Sequence, residues 1–303
     1  MHRSFSHLQA VGLAILGFTM WVLADASMKF AGASPLPAYE IIAAIGAFEV
    51  LLVLLYALAR GTPRSLLPNN TPRQLLRSCL DLGNNICVVI ALRRLPLALF
   101  YILVFAAPIV TALLAAVFLR EHLSRKQGVA IVTGFLGVVV AVEPMHAVHA
   151  GALIGYAACA VCVCCFATNI VWSRVITQTE RPESLIATSG LLMAAAGSVG
   201  MLHHGSPLDL KLSAVLLLTA LFCVIGSTCF FLALRSSNAA TVAHFHYTQL
   251  LTGALVAYLG WHEIPTTFMF LGAVLIVGSG AYMAANTPAP ASVSSPESVT
   301  VAG

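Results

Sequence analysis

Charge is what this 303-residue chain has least of: 15 Lys plus Arg and 11 Asp plus Glu make only 9% of it, against roughly 25% in soluble domains. That scarcity excludes an ordinary water-soluble fold. The formal charge of +4 is too scattered for a nucleic-acid-binding stripe. Also missing are a Gly-rich phosphate loop, a Ser/His/Asp order and a His-Glu-x-x-His helix. No enzyme, cofactor or metal site is therefore implied. Eight cysteines (79, 87, 159, 162, 164, 165, 223 and 229) all fall inside apolar runs. Cys162, Cys164 and Cys165 crowd one turn, yet adjacent helical residues point about 100° apart and no second ligand group follows. They read as small buried hydrophobes, and thiols inside a bilayer are not disulfide partners. His146, His149, His203 and His204 read as solvated loop residues.

What is present is hydrophobic, 59% of the chain, in runs near the roughly 20 residues that cross a hydrocarbon core of about 30 Å. Breakers divide the chain into expected spans near 8–30, 38–59, 74–92, 96–119, 127–142, 150–173, 183–202, 212–234, 239–260 and 266–286. The fold class is thus an all-α membrane protein of ten transmembrane helices, each satisfying its own backbone polar groups. The closest break is Arg93-Arg94-Leu95-Pro96, read as a turn. With the N-terminus inside, the inner segments hold eleven Lys or Arg, including Arg60, Arg64, Arg73 and Arg77. The outer ends hold four: Lys29, Arg93, Arg94 and Lys211. The positive-inside bias predicts a multi-pass protein of the cell inner membrane with cytoplasmic termini. The N-terminal segment reads as retained, and the tail from 287 to 303, rich in Pro, Ser and Ala, as disordered.

Internal similarity supports two units. Ala91-Leu92-Arg93 matches Ala233-Leu234-Arg235, and Glu121 then matches Glu263; with a two-residue gap, Gly128 falls on Gly272 and Gly134 on Gly278. The division is 1–145 and 146–286, five helices each, and an odd number forces the second unit to be inverted. Inverted repeats around a central cavity are the architecture of alternating-access transporters. The stretch Ala91 to Ala98, continuing through Ala107-Pro108 and Leu119-Arg120-Glu121-His122-Leu123 to Gly134-Phe135-Leu136-Gly137-Val138, resembles the EamA repeat of the drug/metabolite transporter superfamily. Residues 233–278, with Trp261-His262-Glu263, look like a weaker copy. The resemblance implies a permease for a small metabolite. Many members carry an Arg early in the second helix, where this chain has Glu40 and no basic residue until Arg60.

Polar residues at bilayer depth cost several kcal/mol, about 2.5–3.5 for a charge at a helix centre, and so point to function. Trp21, Asp25 and Lys29 lie on one stripe of the first helix. Two readings stand: an Asp25–Lys29 ion pair, or Trp21 and Asp25 on a cavity wall. Glu40 sits near the outer end within reach of water, whereas Glu49 is mid-span, a proton carrier or a hydrogen-bonded structural acid. Asp81, Asn84 and Asn85 share a face of the third helix, and the last helix but one carries His244 and Tyr247 on one face. Tyr101 lies on the inverted counterpart of that helix, and Asn169 is the counterpart of Asp25 at an offset of 144.

The expected substrate-binding set is Trp21, Asp25, Asn84, Asn85, Tyr101, Asn169, Trp172, His244 and Tyr247; the proton-coupling candidates are Glu49, Asp81 and His244. Together with the resemblance, this aromatic and polar lining, without a central Arg or Lys cluster, suits amino-acid export. A vitamin or nucleoside-like solute is the alternative, and a non-transporting scaffold the out-of-class one. The expected partners are the substrate and the bilayer, with no nucleic acid; a monomer and a homodimer are both compatible.

Overall fold

The computed structural model describes residues 7–107, 109–110, 125–141, 150–201, 209–236 and 248–285. Among these are ten α-helices: α1 His7–Gly32, α2 Ala38–Ala59, α3 Thr71–Leu92, α4 Leu97–Val104, α5 Arg125–Ala141, α6 Ala150–Ile176, α7 Pro182–Met201, α8 Leu210–Ser236, α9 Thr248–Trp261 and α10 Thr267–Ala285. Local chemistry sets their ends. Pro37 and Pro96 occupy the N-cap positions of α2 and α4. Asn70 caps α3 by accepting from the Arg73 amide, with proline in the first turn. Gly61, at φ +65°, takes the chain out of α2. The Arg93–Pro96 turn lies where its sequence places it, between α3 and α4.

Among the described residues, six helices are long and apolar enough to cross a membrane: those within Val11–Gly32, Ala38–Ala59, Thr71–Leu92, Ala152–Ser173, Pro182–Met201 and Leu210–Arg235. Gly128–Ala141 and Thr267–Tyr282 are shorter apolar helices. The expected spans 96–119 and 239–260 lie partly outside the described residues, as do His244 and Tyr247. Large apolar side chains such as Leu55, Phe135, Leu251 and Leu259 are exposed on the outside. That is the surface a hydrocarbon solvent selects.

The broadest packing pairs are α1 with α8, α2 with α7, α5 with α10 and α3 with α6. Adding five to a helix number exchanges α1–α8 with α6–α3, α1–α9 with α6–α4, and α2–α8 with α7–α3, all of which are contacts. The close approaches use glycine. A Cβ on Gly46 of α2 would stand 2.5 Å from the Gly190 carbonyl oxygen of α7, and one on Gly272 of α10 would stand 2.6 Å from that of Gly137 in α5.

Contacts between turns define two ends of the bundle. At one, the turns after α1, α3 and α9 meet through Leu36, Leu95 and Glu263. At the other, the segment before α3 meets the turn after α6 through Asn69, Asn70 and Glu180. Helix α1 finishes at the Glu263 end and α6 at the Glu180 end, so these counterparts run in opposite directions.

Two charged residues are not where their sequence positions suggest. Glu40, expected to reach water, is 2% exposed, because α2 packs its first turns against α7 near Gly197. Arg77, grouped above with the loop cations, is 5% exposed. Helix α3 begins at Thr71, which puts Arg77 on its second turn, inside the bundle.

Candidate functional site

A cavity of about 120 Å³ lies among α1, α2, α3, α4, α6, α8 and α9. Eight of the expected residues line it: Trp21, Asp25, Glu49, Asp81, Asn84, Asn85, Tyr101 and Asn169. The stripe on α1 resolves in favour of the cavity wall. Asp25 accepts from the Tyr101 hydroxyl at 2.7 Å, and Lys29 turns to Glu263 instead. Trp21 donates to Ser227 Oγ at 3.4 Å and packs with Phe230 and Phe166 at ring-centre distances of 4.9 and 6.4 Å.

On α3, Arg77, Asp81, Asn84 and Asn85 follow the i, i+4, i+7, i+8 pattern of one helix face, and all four line the cavity. Arg77 donates through Nε to Ser173 Oγ at 3.3 Å and through Nη1 to the Leu185 carbonyl and Ser189 Oγ at 3.3 and 2.9 Å. Its guanidinium lies 4.9 Å from the centre of the Phe231 ring. To Asp81 it is only a loose neighbour, Nη2 to Oδ2 being 3.8 Å, beyond hydrogen-bond range. Asp81 Oδ1 accepts from Asn169 at 3.3 Å, and Asn169 in turn accepts from Ser173 Oγ at 3.0 Å. Cys162 donates to Asn84 Oδ1 at 3.2 Å, and Cys223 lines the same wall as Glu49. Gln249 of α9 lines the wall and donates to the Phe18 carbonyl at 3.2 Å.

Sequence reasoning missed Arg77, Gln249, Ser173, Ser227, Cys162, Cys223 and the Phe166–Phe230–Phe231 rings. The four-residue spacing of Arg77 to Asp81 was the available signal. Trp172 is a correction: its indole donates to the Arg73 carbonyl at 3.1 Å, and its ring packs on the apolar cluster that includes Ile176, Leu185 and Phe230. It is not among the residues that line the cavity, although the next residue of α6, Ser173, is. No central Arg or Lys cluster was expected; a single arginine, Arg77, lines the cavity with three carboxylates, Asp25, Glu49 and Asp81.

The two ends are held differently. At the Glu263 end, Lys29 Nζ lies 2.7 Å from Glu263 Oε1, donates to the Leu95 carbonyl at 3.2 Å, and sits 5.2 Å from the centre of the Trp261 ring. Glu263 Oε2 also accepts from the Ala98 amide in the first turn of α4 at 3.3 Å, a favourable place for an anion. His262, at φ +53°, reverses the chain after α9 and so aims Glu263 at Lys29. Arg93 donates to the Leu36 carbonyl; burial and the adjacent Arg94 lower its guanidinium pKa from the ordinary value. At the Glu180 end the bonds are mostly charge-to-backbone or neutral. Glu180 accepts from the Asn69 and Asn70 amides at 2.9 and 2.7 Å, Arg235 donates to the Thr177 and Glu180 carbonyls, and Gln74 bonds Ser184 at 2.6 Å.

A bundle of apolar helices around a charged and aromatic cavity, held together by polar contacts at two ends, defines a multi-pass membrane protein built to handle a small solute. The model of the EamA-like transporter family matches residues 8–142 and again 153–284, and the chain belongs to that family. Among curated proteins it is similar to an S-adenosylmethionine uptake transporter of Rickettsia prowazekii (strain Madrid E), 29% identical over 180 residues, which are 57% of this chain and 58% of that one. A protein of the same description from Rickettsia bellii (strain RML369-C) is 23% identical over 186 residues, 60% of this chain and 62% of that one. The match thus spans about three-fifths of these relatives' length. A solved crystal structure shares the fold with a TM-score of 0.64 at 17% identity, covering 89% of this chain and 96% of that one.

Proposed function

We propose that this transporter takes up a cationic metabolite that joins an amino-acid end to a nucleoside, of the S-adenosylmethionine class, across the inner membrane. The observation that carries this reading is the charge of the cavity, lined by one guanidinium and three carboxylates among aromatic rings. Such a metabolite has a sulfonium, an ammonium and a carboxylate, so it is a net cation. The carboxylates suit its two positive groups, the Phe166, Phe230 and Trp21 rings suit the sulfonium and the base, and the asparagines suit the ribose. The names of the rickettsial relatives support uptake of this class. Amino-acid export gains no support from them. The substrate set is Trp21, Asp25, Asn84, Asn85, Tyr101 and Asn169, joined by Arg77. Glu49 and Asp81 remain the described proton-coupling candidates.

In this reading residues 1–145 and 146–286 form the inverted units, the termini are cytoplasmic, and the Glu263 end faces outward. A cavity of 120 Å³ is below the roughly 300 Å³ of a ligand cleft. The bundle therefore widens to admit substrate, first at one end and then at the other. An inward-negative potential drives a cation in by about 2.3 kcal/mol per charge per 100 mV.

The test is uptake of labelled S-adenosylmethionine into proteoliposomes with an imposed potassium-diffusion potential. Saturable uptake that rises with an inside-negative potential supports the reading. Exchange of amino acids without S-adenosylmethionine uptake would return the substrate to the amino-acid class.

A further inference from the structure

Arg77 makes its hydrogen bonds to α6 and α7, not to the carboxylate beside it. Ser173 lies on α6, and Leu185 and Ser189 lie on α7. With Gln74–Ser184 one turn away, these bonds seal α3 against its neighbours on the Glu180 side of the cavity. The guanidinium is 6% exposed, and the ion pair within its reach is Asp81 at 3.8 Å. Asp81 is 24% exposed, open to a better-placed donor from the cavity. Glu49, from α2, is a second acid on the wall of the same cavity.

We propose that Arg77 is the resident counter-cation of the cavity, and that a transported cation takes Asp81 from it and thereby unlocks the Glu180 end. The inference rests on the cation-carrier reading and adds the residue that couples charge to opening. Its physics is desolvation. A buried guanidinium is tolerated while an anion neutralises it, and becomes unfavourable by several kcal/mol when that anion is committed elsewhere. A substrate cation on Asp81 both removes the counter-charge and repels Arg77. The guanidinium then swings out of its pocket, and its three bonds to α6 and α7 go with it. A neutral solute of the same shape leaves Arg77 paired and the end shut. Arg77 therefore selects by charge.

Hydrogen–deuterium exchange of residues 182–190 in the full-length detergent-solubilised protein tests this, with S-adenosylmethionine and its demethylated analogue S-adenosylhomocysteine as probes, the analogue being net neutral because it lacks the sulfonium and keeps only the zwitterionic amino-acid end. S-adenosylmethionine is expected to speed exchange there by at least about tenfold, the worth of one of the two charged hydrogen bonds that Arg77 makes to α7, and the neutral analogue to leave it unchanged. Arg77→Gln should show the fast exchange without ligand and no further response. Arg77→Lys, which keeps the charge, should keep the response, and gel filtration with thermal melting checks that both variants are folded. Equal responses to the two probes, or an Arg77→Gln protein as protected as the wild type, would overturn the inference. So would identical behaviour of the Lys and Gln variants. Failure of S-adenosylmethionine to bind the wild type would instead sink the substrate reading; the ligand-free comparison of Arg77→Gln with wild type still judges the latch.

Discussion

The two halves of the chain build unlike walls for one cavity. Among the described residues, the charged side chains that line it, Asp25, Glu49, Arg77 and Asp81, come from α1, α2 and α3. The lining from α6, α8 and α9 is neutral: Cys162, Phe166, Asn169, Ser173, Cys223, Ser227 and Gln249, with Phe230 and Phe231. The counterparts make the contrast specific, Asp25 against Asn169 and Asp81 against Cys223. Across the seams the described cavity bonds are therefore not ion pairs: Asp81–Asn169 and Arg77–Ser173 pair a charged group with a neutral one, and Trp21–Ser227 and Cys162–Asn84 pair two neutral ones. The ion pair that joins the halves among the described residues, Lys29–Glu263, lies outside the cavity at one end. Charge-to-neutral bonds can be handed to water or substrate without stranding an opposite charge. Helices joined by them can slide at modest cost, whereas a buried ion pair holds until both partners are compensated.

Removing the charged wall should have the largest effect. Asp81→Asn is expected to lower S-adenosylmethionine uptake by about 100-fold, because truncating a buried charge partner costs roughly 2–5 kcal/mol; proteoliposome uptake measures it, and unchanged uptake would place the substrate elsewhere. Moving a charge across the cavity comes next. Asp25→Asn combined with Asn169→Asp should recover part of the loss caused by Asp25→Asn alone, leaving uptake about tenfold below wild type. Recovery to the full rate would mean that the side bearing the charge is immaterial. For the Glu263 end, Lys29→Ala or Glu263→Ala should each cost about 3 kcal/mol of stability by leaving its partner uncompensated, and the double variant should cost less than either single; denaturant melts of all three decide it. The smallest effect is expected from Trp172→Phe, which loses one exposed hydrogen bond of about 1 kcal/mol and should leave the KM for uptake unchanged.

Periodicity and breakers carried much of this structure. Trp21, Asp25, Asp81, Asn84 and Asn85 could be placed on cavity faces because a helix repeats every 3.6 residues and lipid rejects such groups. Arg77 could not, because an arginine following Arg60, Arg64 and Arg73 looks like one more loop cation; its hydroxyl and carbonyl partners lie 96 to 112 positions away. Lys29 misled for the same reason. Local spacing offers Asp25 one turn away, but the partner that holds it is 234 residues distant. Trp172 comes one turn after Asn169, yet it is Ser173, one residue further on, that lines the cavity, while the Trp172 indole is taken by the Arg73 carbonyl.

The broad seams of the bundle, α1 on α8, α2 on α7 and α3 on α6, also bear on how the protein is made. A ribosome delivers α1, α2 and α3, with Asp25, Glu49, Arg77 and Asp81, well before α6 and α8 exist to cover them. Until then these charges must be sheltered by the insertion machinery or by water drawn into the bilayer. A chain stopped after the first half would present those unsatisfied faces to membrane-bound quality control. Assembly is therefore committed late, when the neutral half arrives.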